Sequence, residues 1–253
     1  MNRDKNNNKS GVALYSLVKD EIIELIKSKK YVAGDQLPTE NEFCKMFDVS
    51  RTTTRIALQQ LELEGRIYRA QGKGTFVSES KVKQSLSSTD KGFTQQMLAQ
   101  GVRPKIKVVS SQVVPATEIL ATNLYLKVND AINKLVRIRY ANDEPIQYEV
   151  AYIPWGIAPG LVDDDCQGSL YHLLQSKYDV NILRTVETID PILADDYISS
   201  TLQVQLGAPC LSIETTAYTD NDIPVEYSYA VFRGDRSNFT VERNYKDIKR
   251  EKN

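Results

Sequence analysis

Residues 50–55 read "SRTTTR", and "IALQQLELEG" follows them to Gly65. The second segment reads as a helix, because Thr54, Ala57/Leu58 and Leu61 recur at i, i+3/i+4, i+7 on one face. The first segment is an odd way to begin that helix. The branched Cβ of threonine restricts χ1, so three in a row fold less readily than leucine, glutamate or alanine would. Arg51, Thr52, Arg55 and Gln59 fall largely on the opposite face. A helix start that is poor for folding and rich in hydrogen-bonding groups reads as one chosen for what it touches.

The flanking sequence gives that helix a setting. Upstream, "ALYSLVKDEIIELIKSKK" repeats Leu14, Val18, Ile22 and Leu25/Ile26 every three to four residues, the buried stripe of an amphipathic helix that stops near Lys29 and Lys30. Thr39 and Glu42 have capping-box spacing at the start of a second helix, with Phe43 and Phe47 on its inner face. "DVS" is a tight turn, and Ser50 is a good N-cap for the third helix. After Gly65, "RIYRAQ" and "TFVSE" are β-prone runs either side of Gly72-Lys73-Gly74, which predicts a hairpin with a glycine tip. The order is helix, helix, tight turn, helix, basic hairpin.

Helix-turn-helix proteins lay the first half of a recognition helix in the DNA major groove. Arginine bonds guanine O6 and N7 bidentately, and threonine reaches phosphate or a thymine methyl. Arg51 and Arg55 lie one turn apart, with Thr52 close by. Arg66, Arg69 and Lys73 add charge along the hairpin, and Gly72 and Gly74 let its tip approach a groove without a side chain in the way. Against this, either arginine alone reads more readily as a solvated face, and the glycines as a plain turn.

Composition sets the frame. The chain has 253 residues, about enough for two domains, with 41% hydrophobic and 26% charged residues. No apolar run approaches the ~20 residues that span a bilayer, and the "MNRDKNNNKSG" start lacks the apolar stretch of a signal peptide and reads as a disordered tail. Cys44, Cys166 and Cys210 fit neither a disulfide framework nor a metal spacing, which points to a reducing cytoplasm. Net charge is −1, but residues 1–83 carry 15 Lys/Arg against 11 Asp/Glu, and residues 84–253 carry 17 against 22. A basic head on an acidic body places the anionic partner at the head.

Residues 78–90, "SESKVKQSLSSTD", read as an exposed linker. Beyond it, "KGFTQQMLAQG", "ATEILATNLYL", "SLYHLLQSKY" and "DDYISSTLQV" read as helices, and "IKVVSSQVV" and "VETIDPIL" as strands. "AINKLVRIRYANDEPIQYEVAYIP" and "CLSIETTAYTDNDIPVEYSYAVFRGDR" are two similar hairpins, each with an Asn/Asp turn and a proline, a weak sign of internal duplication. Mixed helices and antiparallel hairpins make the body α+β.

The body lacks the residues of an enzyme. It has one histidine, His172, in an ordinary helical pattern, and no P-loop, dinucleotide fingerprint or metal-ligand spacing. Arg137 and Arg139 alternate on one strand and share a face. Two guanidiniums repel unless they share an anion, and phosphate is a natural guest. Glu149 and Glu226 take similar places after the two turns, where carboxylates accept bonds from sugar hydroxyls or an amine. Ser169 opens a helix in "GSLY", and a helix start suits an oxyanion. The other reading of the same residues is a set of sheet-surface salt bridges, each worth little. Spacing alone leaves both open.

Residues 37–77, "LPTENEFCKMFDVSRTTTRIALQQLELEGRIYRAQGKGTFV", resemble the winged helix-turn-helix head of GntR-family bacterial transcription regulators. The family carries arginine where this chain has Asn41, and a buried valine where it has Thr54, whose hydroxyl then needs a backbone carbonyl. Residues 91–241 resemble the UTRA effector-binding domain of the HutC subfamily, on "GFT" (92–94), "RIRYANDEPIQYEVAYIP" (137–154), "GSLY" (168–171) and "PVEYSYAVFRGDR" (224–236). That resemblance implies an α/β domain like chorismate lyase, used for binding. In members that sense amino-sugar phosphates it implies a phosphate subsite at Phe93, Thr94, Arg137, Arg139, Ser169 and Tyr171, with the sugar facing Glu149 and Glu226. An aromatic that is often tyrosine in those members is Phe232 here.

The reading is then an α+β chain in which a winged helix-turn-helix domain (11–78) and a linker (79–90) precede an α/β UTRA domain (91–245). It predicts a cytoplasmic, homodimeric, ligand-responsive bacterial transcription regulator, a repressor of sugar or amino-sugar utilisation genes, without cofactor or metal. Its partners are a palindromic double-stranded operator and a small anionic effector such as a sugar phosphate. The candidate DNA contacts are Thr39, Arg51, Thr52, Thr53, Arg55, Gln59, Gly72, Lys73 and Gly74. The alternatives are an organic-acid effector, or an enzyme fused to a DNA-binding head.

Overall fold

The computed structural model describes residues 13–85 and 92–242. The expected N-terminal tail, residues 86–90 of the expected linker and the last residues of the expected second domain lie outside them. The chain divides into two compact units after Lys81. No helix among the described residues is long and apolar enough to cross a membrane.

The head is three helices and a hairpin: α1 (Leu14–Lys27), α2 (Glu40–Phe47), α3 (Arg51–Leu63), β1 (Ile67–Ala70) and β2 (Gly74–Val77). Their apolar positions meet in one core. Val18 and Ile22 of α1, Phe43 of α2, and Ala57, Leu58 and Leu61 of α3 pack with Ile67 and Val77 of the hairpin. Each such side chain contributes about 1.5–3 kcal/mol when fully buried. The expected capping box is present: Thr39 Oγ1 accepts from the Glu42 amide, and the Thr39 amide donates to Glu42 Oε2. Asp48 ends α2 in the left-handed region at φ 53°, and Ser50 caps α3 by accepting from the Thr53 amide. Gln36 and Leu37 brace the hairpin: Leu37 N donates to Thr75 O, and Gln36 Nε2 to Lys73 O at 2.9 Å.

The body holds a six-stranded antiparallel sheet. Its strands are β4 (Pro104–Pro115), β5 (Ala131–Ala141), β6 (Glu144–Pro154), β7 (Arg184–Leu193), β8 (Pro209–Tyr218) and β9 (Pro224–Arg233), in the order β4-β5-β6-β9-β8-β7. Helix α5 (Glu118–Leu124) joins β4 to β5, and α7 (Asp196–Leu202) joins β7 to β8. The unit strand-helix-strand-strand therefore occurs twice, and the two copies meet along β6 and β9. Both joining helices cover the same face. Leu120, Ala121 and Leu124 of α5 pack near Tyr152 and Tyr227, and Ile198 and Leu202 of α7 near Tyr148 and Tyr229.

The other face is covered in part by α4 (Phe93–Leu98), a 3-10 turn (Leu161–Asp163) and α6 (Leu170–Tyr178). Leu161, Leu170 and Leu174 pack there on Leu135, Ala151 and Ile153. Because both faces of β5 are covered, Val136 and Ile138 are buried on one side and Arg137 on the other. That is how an arginine comes to lie between a sheet and the helices that cover it.

One expectation needs correction. The stretch expected to be linker contains a strand, β3 (Val82–Ser85), which pairs in parallel with β10 (Ser237–Thr240). Val82 is buried beside Met97 of α4, and Gln100 brackets Lys83, accepting from its amide at 2.8 Å and donating to its carbonyl at 2.7 Å. The serine-rich sequence concealed this, because the partner strand lies some 150 residues further on.

Candidate nucleic-acid interface and effector site

The three threonines of α3 have three different fates. Thr52 is exposed. Thr53 is half-buried, and its hydroxyl lies 2.8 Å from that of Ser50, inside the cap. Thr54 is fully buried, and its hydroxyl meets the Cys44 thiol at 3.4 Å. The expected backbone carbonyl is therefore replaced by a weak sulfur partner. Thr39 also gives its hydroxyl to a cap, bonding Glu42 Oε2 at 2.8 Å.

Arg51, Arg55 and Gln59 stay on the solvent side of α3. Both arginines converge on one carboxylate: Arg51 Nε lies 3.3 Å and Arg55 Nη2 3.4 Å from Glu40 Oε2. On the hairpin, Arg66 pairs with Glu64 and Arg69 with Glu62. Lys73 is exposed at the tip, between Gly72 (φ 72°) and Gly74 (φ 121°), whose backbone angles favour glycine. A Cβ on Gly74 would also sit 2.6 Å from Gln36 Nε2.

In the body, cross-strand register gathers the expected residues on one sheet face. Arg137 stands opposite Glu149, which stands opposite Ala230. Arg139 stands opposite Gln147, which stands opposite Phe232. Glu226 lies on β9 opposite Ala217. Glu149 is the anion that the two guanidiniums share. Its Oε2 accepts from Arg137 Nε at 2.9 Å and Nη2 at 2.5 Å, and its Oε1 accepts from Arg139 Nη2 at 2.9 Å. Arg137 Nη1 also donates to the carbonyls of Cys166 and Gly168. Arg137 is thus wholly engaged, and only 1% exposed. Burial pushes the Glu149 carboxyl up, but Arg137 and Arg139 outweigh it and hold it below the usual range.

Arg139 is placed differently. It is half-buried, its guanidinium lies 5.3 Å from the centre of the Phe93 ring, and its Nε has no partner among the described residues. Phe93 and Thr94 open α4, and Ser169 caps α6 by accepting from the His172 amide. The two helix starts adjoin, since a Cβ on Gly92 would lie 3.6 Å from Ser169 Oγ. Tyr171 neighbours Glu226, and burial together with that carboxylate's charge pushes the Tyr171 hydroxyl well above its usual range. Burial and the nearby Glu149 charge push Glu226 up to about 7. Its Oε2 has no partner among the described residues either.

Gln147 was missed by sequence reasoning. It is 2% exposed, and its Oε1 lacks a partner among the described residues. The signal was the repeat itself: "PIQY" at 145–148 matches "PVEY" at 224–227, so Gln147, rather than Glu149, is the counterpart of Glu226.

Comparison with known proteins agrees with both halves. Residues 14–77 match the family described as bacterial regulatory proteins, gntR family, and residues 99–238 match the UTRA domain. The chain is 34% identical over 233 residues to the HTH-type transcriptional repressor NagR of Bacillus subtilis, covering 92% of this chain and 96% of that one. It is also 34% identical over 230 residues to a probable fructoselysine utilization operon transcriptional repressor of Escherichia coli, covering 90% and 94%. Among solved structures, PhnF from Mycobacterium smegmatis superposes with a TM-score of 0.66 at 29% identity, over 90% of this chain and all of that one. These relatives are DNA-binding regulators, not enzymes. The two family matches, with 34% identity to NagR over nearly the whole of both chains, place this helix-turn-helix head and duplicated-sheet body in the GntR family of bacterial transcription regulators, in the type that carries a UTRA domain.

Proposed function

We propose that the chain is a cytoplasmic homodimer that binds a palindromic operator through α3 and the wing. A phosphorylated sugar or amino sugar on the inner sheet face changes that grip. Two heads suit a two-fold operator, because one recognition helix makes few base contacts. Arg51, Thr52, Arg55 and Gln59 on α3, with Thr39, Thr53, Gly72, Lys73 and Gly74, form the DNA side. A tenfold change in operator affinity needs only ~1.4 kcal/mol of coupling to the effector.

The observation that carries the effector half is the set of buried polar atoms without partners among the described residues: Arg139 Nε, Gln147 Oε1 and Glu226 Oε2. An unmade buried hydrogen bond costs about 1–3 kcal/mol. A ligand that gives an acceptor to Arg139 and donors to the other two removes that cost. An anionic group with hydroxyls or an amine nearby has that pattern. The adjoining starts of α4 and α6 favour phosphate as the anion, because the first amides of a helix have no partner within it and its dipole favours negative charge. The fructoselysine operon of one relative is consistent with an amino-sugar effector. Occupancy would be felt where the chain enters the body, because α4 packs on β3 through Met97 and Val82.

A thermal-shift screen of sugar phosphates, their free sugars and dicarboxylates tests this reading, followed by operator band shifts with each hit. A sugar phosphate should raise the melting temperature of the wild type and leave Arg139→Ala unmoved. A response to dicarboxylates alone would favour an organic-acid effector and overturn the sugar-phosphate assignment.

A further inference from the structure

Glu40 is the first residue of α2, and Arg51 and Arg55 reach back to its Oε2 from the next helix. The acid side chain is 23% exposed, against 64% and 52% for the two arginines. It lies behind them, between the helices. The capping box of Thr39 and Glu42 fixes the helix start that carries it, and the two arginines hold its carboxylate. Burial pushes Glu40 up, but the hydrogen bonds and charges of Arg55 and Arg51 outweigh it and hold it below the usual range. It is ionised at neutral pH.

Exposed ion pairs of this kind add little to stability, so folding does not explain why one acid serves two arginines. We propose that Glu40 is a positioning residue that sets the sequence specificity of the head, a role that rests on α3 being the recognition helix. It acts in two ways. By taking the Nε edge of Arg51 it leaves the terminal Nη1/Nη2 edge to face a guanine, with the side chain already ordered. Arginine loses much rotamer freedom when it is fixed, and ordering it in advance lowers the cost of base contact. The same carboxylate repels phosphate, so a loose backbone contact by either arginine brings a like charge close. A matched base edge brings none.

The test uses the full chain, a duplex selected by the wild type from a random-sequence pool, and a scrambled duplex of equal length. Affinity for both is measured for wild type, Glu40→Ala, Glu40→Gln, the Arg51→Ala/Arg55→Ala double variant, and that double variant with Glu40→Ala. Glu40→Ala should lower the selected-to-scrambled ratio by about tenfold, in part by tightening binding to the scrambled duplex. Glu40→Gln, which keeps an acceptor but no charge, should tighten scrambled binding in the same way. In the arginine-free background Glu40→Ala should change the ratio no further, because the acid acts through those two side chains. An equal drop in both backgrounds would assign Glu40 to the fold of α2 and overturn the proposal, as would an unchanged ratio for Glu40→Ala alone. If the double variant itself keeps the wild-type ratio, the recognition-helix assignment fails instead, and the role of Glu40 falls with it.

Discussion

Removing the guanidinium of Arg137 would leave the Glu149 carboxylate buried with its closest partner gone. Breaking a buried pair this way costs about 3–5 kcal/mol, so Arg137→Ala should unfold at markedly lower urea than wild type. Arg139→Ala removes a half-buried side chain while Arg137 still holds Glu149. It should cost far less stability and abolish effector binding in calorimetry, a split between two arginines of one strand. Glu226 offers a pH signature. Its carboxyl is raised to about 7 in the folded chain, so the folded state holds a proton that the unfolded chain releases lower down. Stability from this group is full below the ordinary carboxylate pKa and is lost as pH rises toward 7. Wild-type melting temperature should therefore fall between pH 5 and pH 7 by the equivalent of about 2–3 kcal/mol, and Glu226→Gln should flatten that slope. Arg139 and Glu226 could be singled out from sequence because charges are conspicuous at strand positions. Gln147 could not, because a lone glutamine among apolar residues carries no such mark until the two hairpins are aligned.

The wing shows how one backbone position can limit an element. Gly74 combines φ 121° with a Gln36 amide where a Cβ would go, whereas Gly72, at φ 72°, has open space around it. Gly74→Ala should destabilise the hairpin by about 1–3 kcal/mol, and Gly72→Asn by far less, since asparagine tolerates the left-handed region. Hydrogen exchange at the β1 and β2 amides reads the difference directly. Elements of this kind are legible in sequence because their signals are local: the Thr39/Glu42 box, the Ser50 cap, and the Asn/Asp turns of the two long hairpins. β3 was not. "VKQS" is short and polar, and it becomes a strand only because β10 and Gln100 satisfy its backbone. A pairing that distant leaves no trace in periodicity.

Across the whole molecule, a duplicated strand-helix-strand-strand unit builds a sheet whose two halves have diverged. The first half supplies Arg137, Arg139, Gln147 and Glu149, and the second Glu226, Ser228 and Phe232. Phe232 meets Phe239 of β10 edge-on at 4.8 Å, and β10 lies beside β3. The inner face and the entrance to the body are thus in contact through two rings and one strand pair. Phe239→Ala should leave apo operator affinity near wild type and shrink the effector's influence on it by about 1 kcal/mol of coupling, measured as operator affinity with and without saturating ligand. The duplication was faintly visible in sequence as two like hairpins. The side-by-side meeting of β6 and β9 was not, because strand order is settled by packing between residues far apart in the chain.

The neighbour that β3 needs is also the last strand among the described residues. As the polypeptide leaves the ribosome, residues 13–77 can already fold, while Ser237–Thr240 are still untranslated. A nascent chain therefore has its helix-turn-helix head early and a completed body only once Ser237–Thr240 have followed, and a product cut short before Ser237 would keep the first without the second.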